Sequence, residues 1–293
     1  MKLGINLLFC TDHVTEEHFP LIRRIKAAGF DGVEVPIFGG SVAHYANIGA
    51  FLRDEGLACS ASTVSPDEAR SPISPVAAHR QAALDHLRHA TDCAAAMGAD
   101  VLMGPFHSPL GVFIGQGPTE TEKQHGAEVH RAMAVHAQAA GVTCAIEWLN
   151  RFECYFLTTL DDAAAYARLV GHPSFGTMHD TFHANIEEKD PVASIRRNMA
   201  QIRHVHISEN DRGTPGKGHI DFLPPLRALR EGGYDGWLTV EAFGRALPNL
   251  AAATRVWRDL FPSVDEVYEQ GGPFIRRLWA QAGESPTRCN RAG

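Results

Sequence analysis

The sequence has 293 residues, 44% of them hydrophobic and 21% charged, which is enough for one large globular domain and excludes a disordered chain. Its net charge of −7 argues against nonspecific nucleic-acid binding, which needs a basic surface. The sequence shows no membrane-spanning stretch and no secretory signal, and its six cysteines form no C-x-x-C pair, so we expect reduced thiols and a cytoplasmic location.

Short apolar runs alternate along the chain with amphipathic segments. We predict eight strands, at Leu3–Phe9, Gly32–Ile37, Ala58–Val64, Asp100–Gly104, Thr143–Glu147, Phe175–Asp180, Ile202–Ser208 and Gly236–Glu241. Helices are predicted between them, with a glycine near each C-terminal end, at Phe19–Ala28, Ser74–Met97, Thr119–Ala140, Thr159–Val170 and Leu223–Arg230.

This alternation predicts a single (β/α)₈ TIM barrel. A doubly wound open sheet is the alternative fold, but no glycine-rich phosphate loop follows the first strand, where the chain reads Cys10-Thr11-Asp12-His13. We expect the barrel to occupy residues 1–282 as one domain and residues 283–293 to form a C-terminal tail.

Four consecutive predicted strands carry polar side chains at or near their ends. These are Glu147, Asp180, His206 and Glu241, spaced by 33, 26 and 35 residues, which is about one strand–helix unit each. The active site of a TIM barrel lies at the C-terminal ends of its strands, so we expect these side chains to meet there. A single acid at a strand end is as often a helix cap or an ion-pair partner, but four in succession favour a shared site.

Three carboxylates at one point repel each other unless a cation neutralises them. Three oxygen ligands and one nitrogen ligand suit Mn²⁺, Mg²⁺ or Co²⁺ better than a soft metal. The sequence therefore predicts one divalent metal at this end of the barrel, with Mn²⁺ preferred and Co²⁺ or Mg²⁺ as alternatives.

Five segments of the C-terminal half carry a family resemblance. Ile146–Glu153, Asp180–Glu188 and His204–Arg212, together with Tyr234–Trp237 and the following Val240–Phe243, resemble the D-tagatose/D-allulose (ketose) 3-epimerase family. That family belongs to the xylose-isomerase-like sugar isomerase and epimerase superfamily. In the N-terminal half the resemblance is mainly one of layout, and its clearest piece is Phe30–Glu34.

The resemblance implies an isomerase that acts on a small sugar, with roles for seven residues. The implied metal ligands are Glu147, Asp180, His206 and Glu241. Glu147 and Glu241 would also act as the catalytic acid and base, and Glu153, His183 and Arg212 would hold the sugar oxygens. A homodimer or homotetramer is implied as well.

The predicted chemistry suits these residue types. Inverting C3 of a ketose needs a proton removed from one face and returned to the other, which two carboxylates can do. The metal would stabilise the cis-enediolate formed when the proton leaves.

Other residues are weaker candidates for the site. Glu34 is either a group at the mouth of the barrel or a structural acid. His204 is expected to point the same way as His206 but deeper, and His179 to point outward. We expect His183 to lie on a loop after the sixth strand. Aromatic and histidine side chains near strand ends are candidates for an apolar wall against the sugar: Phe9, Phe106, His107 and Trp148.

Several functions remain open on this scaffold. An aldose–ketose isomerase, or an enzyme for 3-keto sugars and glycosides, would use the same proton abstraction. An endonuclease-IV-like DNA repair enzyme would need more histidine ligands and a basic groove, which the net charge of −7 disfavours. A non-catalytic binding barrel would not need the pair Glu147 and Glu241.

Overall fold

The computed structural model describes residues 1–284 and shows eight parallel strands that form one barrel. The strands are β1 (Lys2–Ile5), β2 (Gly32–Pro36), β3 (Ala58–Ser62), β4 (Val101–Gly104), β5 (Thr143–Ile146), β6 (Phe175–Asp180), β7 (Ile202–Ser208) and β8 (Trp237–Glu241). The predicted barrel is confirmed, and the open doubly wound sheet is excluded. All eight predicted strands are present, and the largest difference is at β1, which ends at Ile5 instead of Phe9.

From β2 to β8 each strand pairs with the next one in sequence, and β1 pairs with β8, which closes most of the ring. Between β1 and β2 there is one isolated bridge, from Asn6 to Glu34. Asp31 also joins the two strands, because its N–H donates to the Leu3 carbonyl at 2.9 Å and its carboxylate accepts from the Leu3 N–H at 2.7 Å. The seam of the barrel is therefore held by side chains as much as by backbone.

Helices surround the strands. They are α1 (Phe19–Ala27), α2 (Val42–Asp54), α3 (Ala77–Met97), α4 (Glu120–Ala139), α5 (Leu160–Val170), α6 (Thr181–Glu187), α7 (Pro191–Asn198), α8 (Leu223–Glu231), α9 (Pro248–Thr254), α10 (Val264–Glu266) and α11 (Gly272–Ala282). The five predicted helices are all present, and their ends agree within three residues. Helix α2 was not predicted, although Ser41 is a suitable cap and the apolar residues Tyr45, Ile48 and Leu52 recur at helical spacing.

Trp237 packs inside the N-terminal end of the barrel. Its ring lies in a cluster with Val101, Met103, Ala145 and Met178, and its indole N–H donates to Asp100 at 2.8 Å. Gly32 makes room for this ring, since a Cβ there would lie 2.7 Å from it. The N-terminal end is thus filled by packed side chains, which leaves the C-terminal end for a site.

Within residues 1–284, no helix combines the length and the apolar character needed to cross a bilayer. In the same range the five cysteines are free thiols. The last described helix, α11, ends at Ala282. Most of the expected tail, 285–293, lies outside the described residues, so the boundary at 282 stays a prediction.

Candidate metal centre and substrate cleft

Four side chains meet at the C-terminal end of the barrel. Glu147, Asp180, His206 and Glu241 each offer one ligand atom, and these atoms all lie within 4.8 Å of one another. All four residues are at least 95% buried. The strands place them there, since Glu147 follows β5, while Asp180 and Glu241 are the last residues of β6 and β8. The structure thus brings together the four side chains that the sequence singled out as ligands.

The two ring nitrogens of His206 face different carboxylates. Its Nε2 lies 2.8 Å from Glu34 Oε1, and its Nδ1 lies 3.1 Å from Glu241 Oε1. Burial lowers the pKa of His206, but Glu241 and Glu34 raise it more, so the net shift is well upward. In the metal-free site His206 is therefore protonated, and its positive charge lies between the carboxylates of Glu34 and Glu241.

Burial and the neighbouring charges give the three carboxylates of the cluster different pKa values. Burial and the nearby Glu241 raise the pKa of Glu147 well above its usual range. The pKa of Asp180 is raised to about 6 by burial, against the opposing effect of Arg212. Burial also acts to raise the pKa of Glu241, but His206 and Arg212 lower it overall. In the metal-free site Glu241 therefore ionises most readily and Glu147 least readily.

Arg212 is a second buried cation of this site. Its Nη1 donates to Asp180 Oδ2 at 3.1 Å, to Ser208 Oγ at 3.1 Å and to Glu241 Oε2 at 2.5 Å. Its guanidinium group lies over the ring of Phe182, 3.8 Å from the ring centre. Arg212 is in the left-handed region, with φ of 65°, so the loop after β7 turns its side chain back over the strand ends.

His183 lies within the short helix α6, so its placement on a loop was wrong. Its Nδ1 accepts the Asn150 N–H at 3.0 Å, and its Nε2 lies 3.1 Å from Arg212 Nη2, so both ring nitrogens face donor groups. That Nε2 lies 3.7 Å from both Glu147 and Asp180. Burial lowers the pKa of His183, followed by the effect of Arg212, so the ring is neutral.

Glu153 lies beside His183 and shares a partner with it. Asn150 donates from Nδ2 to Glu153 Oε1 at 2.7 Å, and the same Nδ2 lies 3.0 Å from His183 Nδ1. Burial raises the pKa of Glu153. Our sequence reasoning gave Asn150 no role, although it lies inside the quoted segment Ile146–Glu153.

A cleft with a polar and an apolar side opens over these groups. Its polar side is formed by Glu147, Glu153, His183, His206, Arg212 and Glu241. Its apolar side includes Leu8, Val64, Leu110, Leu149, Phe243 and Leu250.

The predicted apolar wall was wrong. Phe9, Phe106, His107 and Trp148 do not line the cleft, and each is at most 1% exposed. After β1 the chain makes a 3₁₀ turn over Leu7–Phe9, which places Leu8 in the wall.

Glu34, His204 and His179 lie outside the cleft. Glu34 is fully buried and does not line the cleft. Burial raises its pKa, but His206 and His204 lower it more, so Glu34 is ionised. His204 is buried below His206, as its position two residues earlier on β7 predicts. His179 lines a separate cavity together with Thr181 of α6, so it faces the helices outside the barrel.

Comparisons with known proteins agree with this site. Residues 22–261 match the family model for the xylose isomerase-like TIM barrel. The chain is 31% identical to the ketose 3-epimerase of Arthrobacter globiformis, across 94% of this chain and 96% of that protein. It is 29% identical to the D-psicose 3-epimerase of Agrobacterium fabrum, across 90% and 93%. A solved L-ribulose 3-epimerase superposes with a TM-score of 0.89 at 26% identity, across 96% of this chain and 95% of that chain.

Proposed function

The chain belongs to the xylose isomerase-like TIM barrel family and, within it, to the ketose 3-epimerases, and from this premise we propose how its site works. It is a carbohydrate epimerase, and we propose that it inverts C3 of a free ketose. One observation carries this proposal: two buried carboxylates, Glu147 and Glu241, line one cleft beside Asp180 and His206. No other group of acids among the described residues combines such a cleft with a metal-ligand set.

Inversion at C3 needs two acid–base groups. One carboxylate removes the C3 proton, and the other delivers a proton to the opposite face of C3. No other bond of the sugar is broken. Glu147 follows β5 and Glu241 ends β8, and both line the cleft, so each can reach the substrate. The reaction is reversible, and the roles exchange in the other direction.

We propose Glu147, Asp180, His206 and Glu241 as ligands of one divalent metal. The donor set fits a hard cation, with three carboxylates and one imidazole. The close approach of His206 Nδ1 to Glu241 Oε1, 3.1 Å, also needs a cation or proton between two acceptor atoms. When bound, the metal supplies Lewis-acid stabilisation of the negative charge that develops on the substrate oxygens.

Mn²⁺ is our choice of metal, with Co²⁺ or Mg²⁺ as alternatives. Elemental analysis of the purified protein, followed by titration of the metal-free chain with each ion, tests this choice. Tightest binding by a soft metal with no response to Mn²⁺ would contradict it.

We propose that Glu153, His183 and Arg212 hold the sugar oxygens near C1–C3. All three line the cleft. Arg212 offers guanidinium N–H groups that can donate to substrate oxygens, and the neutral His183 ring can form a hydrogen bond with a sugar hydroxyl. Glu153 is an acceptor when ionised and a donor when protonated. The apolar wall opposite them would contact the carbon chain.

Hydrogen exchange tests the proposed reaction. The metal-loaded protein is incubated in D₂O with free ketoses and 3-keto glycosides, and NMR follows deuterium at each carbon. We expect deuterium at C3 together with the C3 epimer, and we expect both to be lost in Glu241→Gln. Glu231→Gln, which changes an exposed glutamate paired with Arg196, serves as the matched control and should retain exchange.

Two other outcomes would replace the proposed reaction. Exchange at C1 or C2 with an aldose product would indicate an aldose–ketose isomerase. Exchange only with 3-keto glycosides would keep the proton abstraction but change the substrate.

We also propose that the protein is a homodimer or homotetramer. Phe152, Ile186 and Trp257 are 68%, 36% and 68% exposed, and they lie around one groove. Glu153 and Arg212 line both this groove and the cleft. An exposed apolar group of this kind is typical of an interface.

Light scattering of the purified protein tests the assembly. We expect the mass of two or four chains, and a shift toward one chain in Phe152→Ser with Trp257→Ser. Phe113→Ser changes a side chain that is 48% exposed outside the groove, and it should leave the mass unchanged. A monomeric wild-type protein would show the proposal to be wrong.

A cytoplasmic location is the last part of the proposal. Its support is the five free thiols among the described residues, four of them buried, since disulfides are rare in reducing compartments. Fractionation of cells that make the protein tests it, and recovery outside the cytoplasmic fraction would contradict it.

A further inference from the structure

Glu34 is a buried acid that the proposed reaction does not use. It lies on β2 inside the barrel, is fully enclosed, and does not line the cleft. Two residues that touch it, Asn6 and His206, do line the cleft. Glu34 is therefore placed to act on the site through its neighbours and not through the substrate.

Four neighbours surround the Glu34 carboxylate. Oε1 accepts from Asn6 Nδ2 at 2.9 Å and lies 2.8 Å from His206 Nε2. Oε2 accepts from Ser60 Oγ at 2.9 Å and lies 2.9 Å from His204 Nε2. Each of these neighbours can donate, and a buried carboxylate anion needs such donors.

The carboxylate fixes where the proton of His206 lies. An ionised carboxylate only accepts hydrogen bonds, so Nε2 of His206 must carry a proton. In the neutral ring this leaves the lone pair on Nδ1, which faces Glu241 at 3.1 Å. That lone pair is what a metal at this cluster would bind, and carboxylate partners of ligating histidines commonly have this effect.

Asn6 extends the influence of Glu34 to a second side chain of the cluster. Its Oδ1 accepts the Leu8 N–H at 2.8 Å, which turns Nδ2 toward the carboxylates. Nδ2 donates to Glu34 and, at 3.3 Å, to Glu241 Oε1. The amide therefore joins Glu34 to Glu241 across the seam between β1 and β2.

We propose that Glu34 is a positioning residue, which holds His206 in its Nε2-protonated form and, through Asn6, orients Glu241 for the metal. This inference rests on the proposed metal ligands. It predicts that Glu34 determines metal affinity although it does not touch the metal. Glu34, His204 and His206 also form a compact group that could itself hold an ion, so the number of metals bound per chain is part of the test.

The test measures Mn²⁺ binding to the metal-free protein by calorimetry, together with the melting temperature of the metal-free chain. Glu34→Gln keeps the size of the side chain but removes the anion. We expect its dissociation constant for Mn²⁺ to rise about 10- to 100-fold. Asn6→Ser keeps a capping hydroxyl and removes only the amide bridge, so we expect a smaller rise, about fivefold. The second variant keeps the test decisive if Glu34→Gln folds poorly.

Glu209→Gln is the matched control. Glu209 is also fully buried, but its carboxylate accepts the N–H groups of Gly216 and Ile220 and does not contact the cluster. We expect this variant to melt at a lower temperature and to bind Mn²⁺ as the wild type does. A general loss of packing would instead weaken binding in both glutamate variants.

Asp180→Asn separates the inference from the proposed function. If Asp180→Asn weakens Mn²⁺ binding while Glu34→Gln and Asn6→Ser do not, the metal site stands and the role of Glu34 is wrong. If the wild type binds no Mn²⁺, or Asp180→Asn leaves binding unchanged, both ideas fail. Two bound metals per chain, with one lost in His204→Gln, would show that Glu34 is itself a ligand and overturn the positioning role.

Discussion

Asp180 uses its two carboxylate oxygens for different purposes. Oδ1 accepts the Phe182 N–H at 2.7 Å and caps α6, while Oδ2 faces the cluster and accepts from Arg212 at 3.1 Å. A single side chain therefore fixes the start of a helix and presents an oxygen to the proposed metal. The helix N-terminus also favours a negative charge there.

Replacing Asp180 by Asn should separate these two roles. Asn caps helices about as well as Asp, but its Nδ2 would face the donor Arg212 Nη1, so the metal-free chain should lose some stability. The rise in melting temperature on adding Mn²⁺ should shrink, because ligand-induced stabilisation depends on affinity. Differential scanning fluorimetry with EDTA and with Mn²⁺ measures both. Asp190→Asn, which changes the cap of α7, should keep the full Mn²⁺ response, and an equal loss there would contradict the assignment.

At the residue scale, the sequence predicted charged groups better than apolar ones. A carboxylate at the end of an apolar strand is visible in the sequence, as Asp180 and Glu241 show. The wall of the cleft was mispredicted because β1 ends early and a 3₁₀ turn decides which of Leu8 and Phe9 faces the cleft. Such a turn depends on tertiary contacts that the sequence pattern does not contain.

At the element scale, the short helix α6 shows where sequence reasoning failed. It has seven residues and begins directly after β6, so Asp180 is both the last residue of the strand and the cap of the helix. No separate loop marks the change from strand to helix. Longer helices such as α3, with 21 residues, repeat their apolar spacing often enough to be predicted.

The end of β4 depends on a glycine. Gly104 has φ of 137°, and a Cβ there would lie 2.0 Å from the Thr63 carbonyl oxygen. The Gly104 carbonyl also accepts the Glu147 N–H at 2.9 Å. The positive φ and the close backbone contact therefore lie directly beside a proposed ligand.

Gly104→Ala should destabilise the protein by about 3 kcal/mol or more, from steric overlap and backbone strain. It should also weaken Mn²⁺ binding, because Glu147 would move with the strand. Urea unfolding and calorimetry measure the two effects. Gly117→Ala, where a Cβ would meet no atom within 4 Å, should change neither. Full stability in Gly104→Ala would show that the strand can shift without cost.

The contact between α4 and α5 should depend on pH through His130. Its Nδ1 lies 2.6 Å from the Tyr166 hydroxyl, and burial lowers the pKa of His130 from 6.5 to about 4. Between pH 6.5 and about 4, His130 therefore binds a proton in the unfolded chain but not in the folded chain. Stability is therefore complete above pH 6.5 and is lost as the pH falls toward 4.

Melting temperatures of the metal-free chain between pH 7 and 4 test this dependence. His130→Gln should be less stable at pH 7 but should show a shallower decline on acidification. The exposed His219→Gln should follow the wild type. Parallel curves for wild type and His130→Gln would contradict the role of His130.

At the scale of the whole molecule, stability and chemistry lie at opposite ends of the barrel. Trp237 fills the N-terminal end and donates to Asp100, while the charged cluster occupies the C-terminal end. The order of strands and the position of this cluster were predictable, since they follow from alternation and strand ends. The seam between β1 and β2 was not, since Asn6 and Asp31 hold it with side chains.

Trp237→Phe should reduce stability by about 2 kcal/mol, because the ring shrinks and Asp100 loses a donor. Mn²⁺ affinity should stay within twofold of the wild type, about 0.4 kcal/mol, because the substitution is at the other end of the barrel. Urea unfolding and calorimetry give the two values. Trp279→Phe, on the partly exposed face of α11, is the control and should change stability by less than about 0.5 kcal/mol. A large loss of Mn²⁺ affinity in Trp237→Phe would show that the two ends are coupled.

The contact between Asn6 and Glu241 joins residues 235 positions apart, and Glu34 and His206 are 172 positions apart. During synthesis, the contacts that β1 and β2 make with this group of side chains therefore form only after β8 has been made. A nascent chain that ends before β8 lacks both Glu241 and the strand that closes the ring. A metal that binds to all four proposed ligands can therefore do so only after most of the chain has been synthesised.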